Sequence, residues 1–187
     1  MTSAEVYLRK VRSSDEQEFI RLMRDSQEIH EPWITPPVSS AQFKQYMQRV
    51  NQPDHEGYAV CLAGSDAIAG AININNIVRG SFQSASLGYY IGAPYQGQGI
   101  MYAGLSQLLE LACVTMGLHR LEANIQPENI RSQRLVERCG FVREGISKDF
   151  LYINGEWRDH VRWCYVDKRT SLRPASMQST FKRWQIT

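Results

Sequence analysis

The sequence predicts an α+β fold in which helices pack on a mixed α/β sheet, and three observations carry that expectation. Strand-type and helix-type runs follow one another in the order β-α-α-β-β-β-α-β-α-β-β. A glycine-rich turn, Gln96-Gly97-Gln98-Gly99, joins the strand-like run Leu87 to Ile91 to the apolar-periodic segment Tyr102 to Met116. Near the end, Asn154-Gly155 divides two β-type runs, the strongest two-residue hairpin signal.

Each element has its own reason. Val6 to Val11 alternates as a first strand, and Ser13-Ser14-Asp15-Glu16 offers a capping-box start to a helix with Phe19, Leu22 and Met23 inward, fading near Gln27. The segment His30 to Pro37 holds three prolines and reads as a broken loop. Ser39 or Ser40 then caps a second helix carrying Phe43, Met47 and Val50. Strands at Tyr58 to Ala63 and Ala67 to Val78 are joined by the turn Gly64-Ser65-Asp66, and a further strand runs from Ser84 to Ile91. These three pair antiparallel. After the helix beyond Gly99 come a strand at Leu121 to Ile125 and a short helix from about Asn129 that stops at Gly140. The closing strands are Gly145 to Ile153 and Glu156 to Val166. One domain over residues 1–166 is expected, with Asp167 to Thr187 as a loosely docked tail.

Composition narrows the function. No window approaches the roughly 18 apolar residues of a membrane span, and the first residues lack a secretion-signal profile, so a soluble cytoplasmic protein is expected, with no membrane partner. Cys61, Cys113, Cys139 and Cys164 are dispersed, without metal-ligand spacing, and read as reduced, mostly buried thiols; no metal is expected. The net charge of +2 is uneven: from His119 to Thr187 there are 13 Lys and Arg against 8 Asp and Glu, or +5, which leaves −3 for the rest. That asymmetry suits a polyanionic ligand or a nucleic-acid-rich partner, and equally a set of solvated helix faces.

The glycine turn points to chemistry. Glycines at alternate positions let the main chain bend, and the first N–H groups of the following helix lack intrahelical partners, so they point toward any anion placed there. Taken alone, such a turn is also an ordinary strand-to-helix connection.

The element order, with this turn between the fourth strand and third helix, resembles the GNAT N-acetyltransferase superfamily and its acyl-CoA N-acyltransferase fold. Gln96-Gly97-Gln98-Gly99-Ile100-Met101 is similar to that superfamily's Gln/Arg-x-x-Gly-x-Gly/Ala turn except at Met101, where a small residue is usual. Pro127-Glu128-Asn129-Ile130-Arg131-Ser132 followed by Cys139-Gly140-Phe141 resembles the branch that acetylates ribosomal-protein N-termini. The segments Asn76 to Phe82, Leu87 to Tyr89 and Gly155 to Val161 extend that resemblance, which covers Val6 to Val166.

The resemblance implies acetyl-CoA as co-substrate and direct attack of a neutral amine on the thioester. The main-chain amides of Gly97, Gln98, Gly99, Ile100 and Met101, with Gln96, would take the pyrophosphate. The strand would splay near Tyr89, Tyr90 and Ile91 to expose main-chain groups for pantetheine, with the Ile91 N–H as oxyanion donor. Asn129 would bond pantetheine and Ser132 would serve the leaving thiolate, although Asn129 is equally a natural N-cap that needs no cofactor.

A general base is harder to find, because Ser86 occupies the strand position where many relatives carry Glu. A peptide α-amine, with a pKa near ~8, needs less help than a lysine amine at about 10.4, which favours N-terminal acceptors. His30, Glu31, Glu122, Asp159 and His160 are the candidates to orient a water. Trp33 and Glu31, on the proline-stiffened loop, offer an acceptor wall, with core packing an equal role for Trp33. Arg79 and Phe82 are implied substrate contacts. The expected activity is N-terminal alanine acetylation of a small-subunit ribosomal protein; the alternatives are acetylation of a small amine or antibiotic, and a ribosome-assembly factor touching rRNA through the basic C-terminal region.

Overall fold

A computed structural model describes residues 5–169. Seven strands form one sheet in the order β1-β2-β3-β4-β5-β7-β6: β1 (Val6–Lys10), β2 (Glu56–Leu62), β3 (Ile68–Val78), β4 (Ser84–Ile91), β5 (Arg120–Ile125), β6 (Val142–Ile153) and β7 (Glu156–Val166). Only β4 and β5 pair parallel; every other neighbour is antiparallel.

The helices α1 (Glu16–Arg24), α2 (Gln27–His30), α3 (Ser40–Val50), α4 (Ile100–Glu110) and α5 (Ile130–Arg138) divide between the two faces. On one face Phe19 and Met23 of α1 and Phe43, Tyr46 and Val50 of α3 pack on Ala59, Ala71 and Tyr90. On the other, Leu105 and Leu108 of α4 and Val136 of α5 pack on Val60, Ile72, Ile74, Leu87 and Leu121. Strand β3 is buried on both faces from Ile68 to Ile74, so its apolar run shows no alternation.

Caps follow the sequence closely. Ser39 accepts the Gln42 N–H and opens α3, and Asn129 accepts the Ser132 N–H and opens α5. At the first helix the capping box moves back by one residue, from Ser13 and Glu16 to Arg12 and Asp15: the Asp15 carboxylate accepts the Arg12 N–H and pairs with Arg9, at a single 3-10 turn over Ser13–Asp15. Ile20 is buried beside Phe19 and Met23, whereas Leu22 is only half-buried.

Three expectations shift. Helix α4 begins at Ile100, directly after Gly99, and gives way at Glu110 to a π turn over Leu111–Thr115. The sixth strand begins at Val142 rather than Gly145. The expected tail is docked at its start: Asp167 is buried, its N–H donates to the His119 carbonyl, and Arg169 pairs with Glu110 and Asp167. The rest of it, from residue 170 onward, lies outside the described residues.

Candidate active site

The fourth and fifth strands pair over Ser84–Leu87 and Arg120–Ala123, then part. Beyond Leu87, β4 stays with β3 while β5 stays with β7 as far as Ile125. The gap has a definite chemistry. Gly92 donates to the Ala69 carbonyl across the β3–β4 ladder, so by the alternation of an antiparallel pair Tyr90 also faces β3, and the main-chain groups of Tyr89 and Ile91 face the gap. The expected splay is therefore present, with the Ile91 N–H directed into it.

Packing from α1 and α2 holds the end of β4 in place. A Cβ on Gly92 would lie 2.4 Å from Leu22 Cδ1, so any larger residue here would displace the Leu22 side chain. Ser26 Oγ accepts the Ala93 N–H while donating to the Leu22 carbonyl. His30, 4% exposed, sets its Nε2 2.8 Å from the Ile91 carbonyl, supplying the partner that β5 withdraws. The Nε2–H donates there, so Nδ1 carries the lone pair. Burial pushes the His30 pKa down.

The glycine turn sits at one mouth of the gap. Gly97 and Gly99 have φ of +76° and +78°, a left-handed conformation that only glycine adopts without strain, and open space lies where their Cβ atoms would be. Gly99 offers no side chain to cap α4, which leaves the first N–H groups of the helix open to an anion. Met101 answers its own oddity: it is 7% exposed and packs on Gly70 of β3, so its side chain goes into the core while its amide stays at the helix start. The Gln98 side chain turns back to the Pro94 carbonyl, and Gln96 accepts from Arg131.

Facing this turn, α5 presents Arg131, Arg134 and Arg138 at helical spacing along the cleft, with Arg138 4.7 Å over the Tyr102 ring. These residues were missed in the sequence, although their three- and four-residue spacing was visible there. Between the turn and the gap, the Tyr89 hydroxyl lies 2.6 Å from Ser132 Oγ, and the Ser132 N–H donates to Asn129 Oδ1 at 3.1 Å. Burial raises the Tyr89 pKa and keeps it a phenol. Asn129 thus takes its capping role, with Ser132 turned toward β4.

The cleft runs through the gap to the opposite face of the sheet and encloses about 1460 Å³, more than the ~300–1,000 Å³ of a pocket for one small ligand. On that second face Glu122 is the one carboxylate among the described lining residues, and it is matched by both Arg120 and Arg162. Its pKa is held down by these arginines against the opposing effect of burial. His160 lies in the same wall, Nδ1 to the Arg158 carbonyl, and burial lowers its pKa also. Asp159 is paired with Lys148 and stays outside the cleft.

Trp33 lines the cleft, its carbonyl accepting from Gln126. The loop around it is tied to the β6–β7 turn: Asn154 Nδ2 donates to the Pro32 carbonyl and Thr35 Oγ1 to Asn154 Oδ1. Phe82, 65% exposed, stands at the rim. Two expected contacts are elsewhere. Glu31 is exposed outside the cleft lining, because the chain turns away at Pro32. Arg79 is spent on the Met116 carbonyl beside the end of α4. Tyr90 lines the cleft, with its ring on the α1 and α3 face against Phe19 and His30 and its main chain committed to β3.

The cysteines are where the sequence reading puts them. Cys61, Cys113 and Cys164 are buried and Cys139 half-buried, all free thiols. No helix among the described residues is long and apolar enough to cross a membrane. Much of the C-terminal basic excess is engaged: Arg120, Lys148, Arg158, Arg162 and Arg169 are ion-paired, and the three α5 arginines face the cleft.

Comparison with known proteins follows this geometry. The model of the family described as "Acetyltransferase (GNAT) domain" matches residues 5–142. The [ribosomal protein uS5]-alanine N-acetyltransferase of Escherichia coli (strain K12) is 47% identical over 94 residues, a match spanning 50% of this chain and 48% of that enzyme. The spermidine N(1)-acetyltransferase of Vibrio cholerae is 25% identical over 150 residues, covering 79% of this chain and 85% of that one. Among solved structures, Mycobacterium smegmatis RimJ in complex with CoA-disulfide superposes with a TM-score of 0.79 at 26% identity, covering 94% of this chain and 88% of that one.

Proposed function

Since the chain belongs to the GNAT acetyltransferase family and uses acetyl-CoA as co-substrate, we propose that it acetylates the N-terminal α-amine of a ribosomal protein, alanine-first as in the uS5-alanine relatives. The observation that carries this reading is the state of the cleft's charges. Its one carboxylate among the described residues is already matched by Arg120 and Arg162, while Arg49, Arg131, Arg134 and Arg138 also line it. A polyamine keeps further ammonium groups after one nitrogen is positioned, and each would meet uncompensated positive charge here. An α-amine brings one titrating nitrogen, neutral in appreciable fraction near neutral pH because its pKa is about 8.

The residues divide the work. When bound, acetyl-CoA supplies the thioester carbonyl that the amine attacks. The amides of Gly97 to Met101 at the start of α4 are suited to the pyrophosphate, and the α5 arginines add charge beside them. The Ile91 N–H, directed into the gap, is suited to hold developing oxyanion charge. Tyr89 is kept protonated by burial, and in the arrangement where it donates to Ser132 the Ser132 hydrogen is free for the leaving sulfur. With Glu122 paired, a water between the cleft's polar groups removes the amine's proton.

The test is to incubate the protein with acetyl-CoA and two acceptors, an alanine-first peptide copied from the uS5 N-terminus and spermidine. Mass spectrometry is expected to show one acetyl on the peptide's α-amine. Transfer to spermidine alone would reject this reading in favour of the polyamine one.

A further inference from the structure

The second face of the sheet carries two side-chain oxygens with nothing to bind. Asn75 of β3 stands level with Ser86, and Asn124 of β5 comes one residue after the last β4–β5 pair, Leu87 with Ala123. Together they flank Gly88. Both line the cleft, and both Oδ1 atoms are buried without a hydrogen-bond partner. Several neighbours are engaged elsewhere, Glu122 with Arg120 and Arg162, Gln126 with the Trp33 carbonyl, and Tyr46 with Asn73, while Nε of Arg162, opposite Asn124, is itself buried without a partner. Buried amide oxygens left open are uncommon in folded proteins and, inside a cleft, mark where a donor is received.

Gly88 shapes the space between them. A Cβ there would sit 3.5 Å from Asn75 Nδ2, so the trough floor is bare main chain with an asparagine on either side. Its inner end is the gap where the Ile91 N–H and the Tyr89–Ser132 pair meet. Its outer end passes His55 and Phe82. A peptide entering amine-first presents a series of donors to this trough, first the amine and then main-chain N–H groups.

We infer that Asn124 receives the acceptor's α-amine and Asn75 an N–H farther along the acceptor's main chain. This rests on the N-terminal acetyltransferase reading and gives it a binding site. Asparagine suits the task because a neutral oxygen accepts from an amine without favouring its charged form, whereas a carboxylate there would hold the amine as ammonium and suppress attack. The charged and titratable groups around Asn124 are Glu122 on its own strand, Arg162 and His160 on β7, and His30 from α2. Glu122 and Arg162 are paired with each other, and both histidines are held toward the neutral form.

The experiment compares Asn124→Leu, Asn75→Leu and Asn124→Asp with the parent protein, measuring KM for an alanine-first peptide and for acetyl-CoA. Each leucine variant is expected to raise peptide KM about tenfold or more and to leave the acetyl-CoA KM within about twofold. Asn124→Asp keeps an acceptor, so peptide KM is expected to stay near the parent value, while the acidic limb of the kcat/KM profile moves to higher pH by about one unit. An unchanged peptide KM in the leucine variants, or equal rises in both KM values, overturns the assignment. Where the parent acetylates a different amine instead, the N-terminal reading fails, and the same KM comparison on that amine decides the asparagines separately. Where no turnover occurs, calorimetric binding of the peptide in the presence of CoA decides it, and parent-like affinity in both leucine variants rejects the pair.

Discussion

Tyr89 of β4 and Ser132 of α5 share a hydrogen bond of 2.6 Å across the mouth of the splayed strands. Two hydroxyls joined this way use one hydrogen between them and leave the other free; burial keeps Tyr89 protonated, and either oxygen can be the donor. Tyr89→Phe is expected to lower kcat about tenfold by disorienting Ser132, and Ser132→Ala by about 100-fold, in line with loss of a positioned proton donor. In both variants the KM for acetyl-CoA is expected within about threefold of the parent. Equal losses in kcat and CoA affinity in Ser132→Ala would reduce Ser132 to a structural member of the α5 start.

Gly99 tests the anion turn. At a φ of +78° any side chain costs about 1–2 kcal/mol of conformational strain, with nothing nearby to clash. Gly99→Ala should therefore fold with a modestly lower Tm, and Gly99→Asp should in addition place a carboxylate against phosphate. CoA affinity, read by calorimetry, is expected to fall about tenfold or more for Gly99→Asp. Parent-like affinity in a folded Gly99→Asp would remove the pyrophosphate from this turn.

The arginine row of α5 predicts a salt dependence. Arg131, Arg134 and Arg138 are exposed at the cleft's edge, where attraction to phosphates is screened by ions. Arg134→Ala is expected to raise the acetyl-CoA KM a few-fold at low salt and to flatten its rise with added sodium chloride. An unaltered salt profile would show the row to be solvated surface.

Asn154 occupies a left-handed turn position, with a φ of 52°, and its side chain ties the β6–β7 turn to the loop of Pro32 and Thr35. Asn154→Gly keeps the turn conformation and removes the tie. The expected outcome is a severalfold higher KM for the peptide acceptor, unchanged KM for acetyl-CoA, and a stability loss of at most about 1 kcal/mol. A peptide KM equal to the parent's would separate the tie from the acceptor side.

Stability should fall on mild acidification. His30 and His160 both have pKa values lowered by burial. Their contribution is full above the unfolded value of about 6.5 and is lost as pH falls through their depressed folded values, because the unfolded chain takes up protons first. Chemical denaturation between pH 7 and 5 should show this slope, and His30→Gln should reduce it. A flat profile over that interval would contradict the burial of these rings.

Much of this was legible in the chain. Asn154-Gly155 and Gly140 are residues whose backbone must turn left-handed, and they do, with φ of 52°, 85° and 88°. Gly97 and Gly99 announced the turn ahead of α4 for the same reason. Long-range choices were hidden. Whether Tyr89 or Tyr90 faces the gap depends on the register of β4 with β3, which a run buried on both faces does not reveal. Glu122 looks like a free candidate base until Arg162, 40 residues away, is brought beside it. The α5 arginines read as ordinary helix surface until α4 places its start opposite them.

The cleft opens on both faces of the sheet, with the glycine turn at one door and the trough between Asn75 and Asn124 at the other. Under the proposed function cofactor and acceptor need not queue, since each has its own door. For a protein N-terminus as acceptor, a terminus folded tightly against its own domain could not reach past Phe82 to the gap, so eligibility would depend on slack at the start of the chain as well as on its first residue.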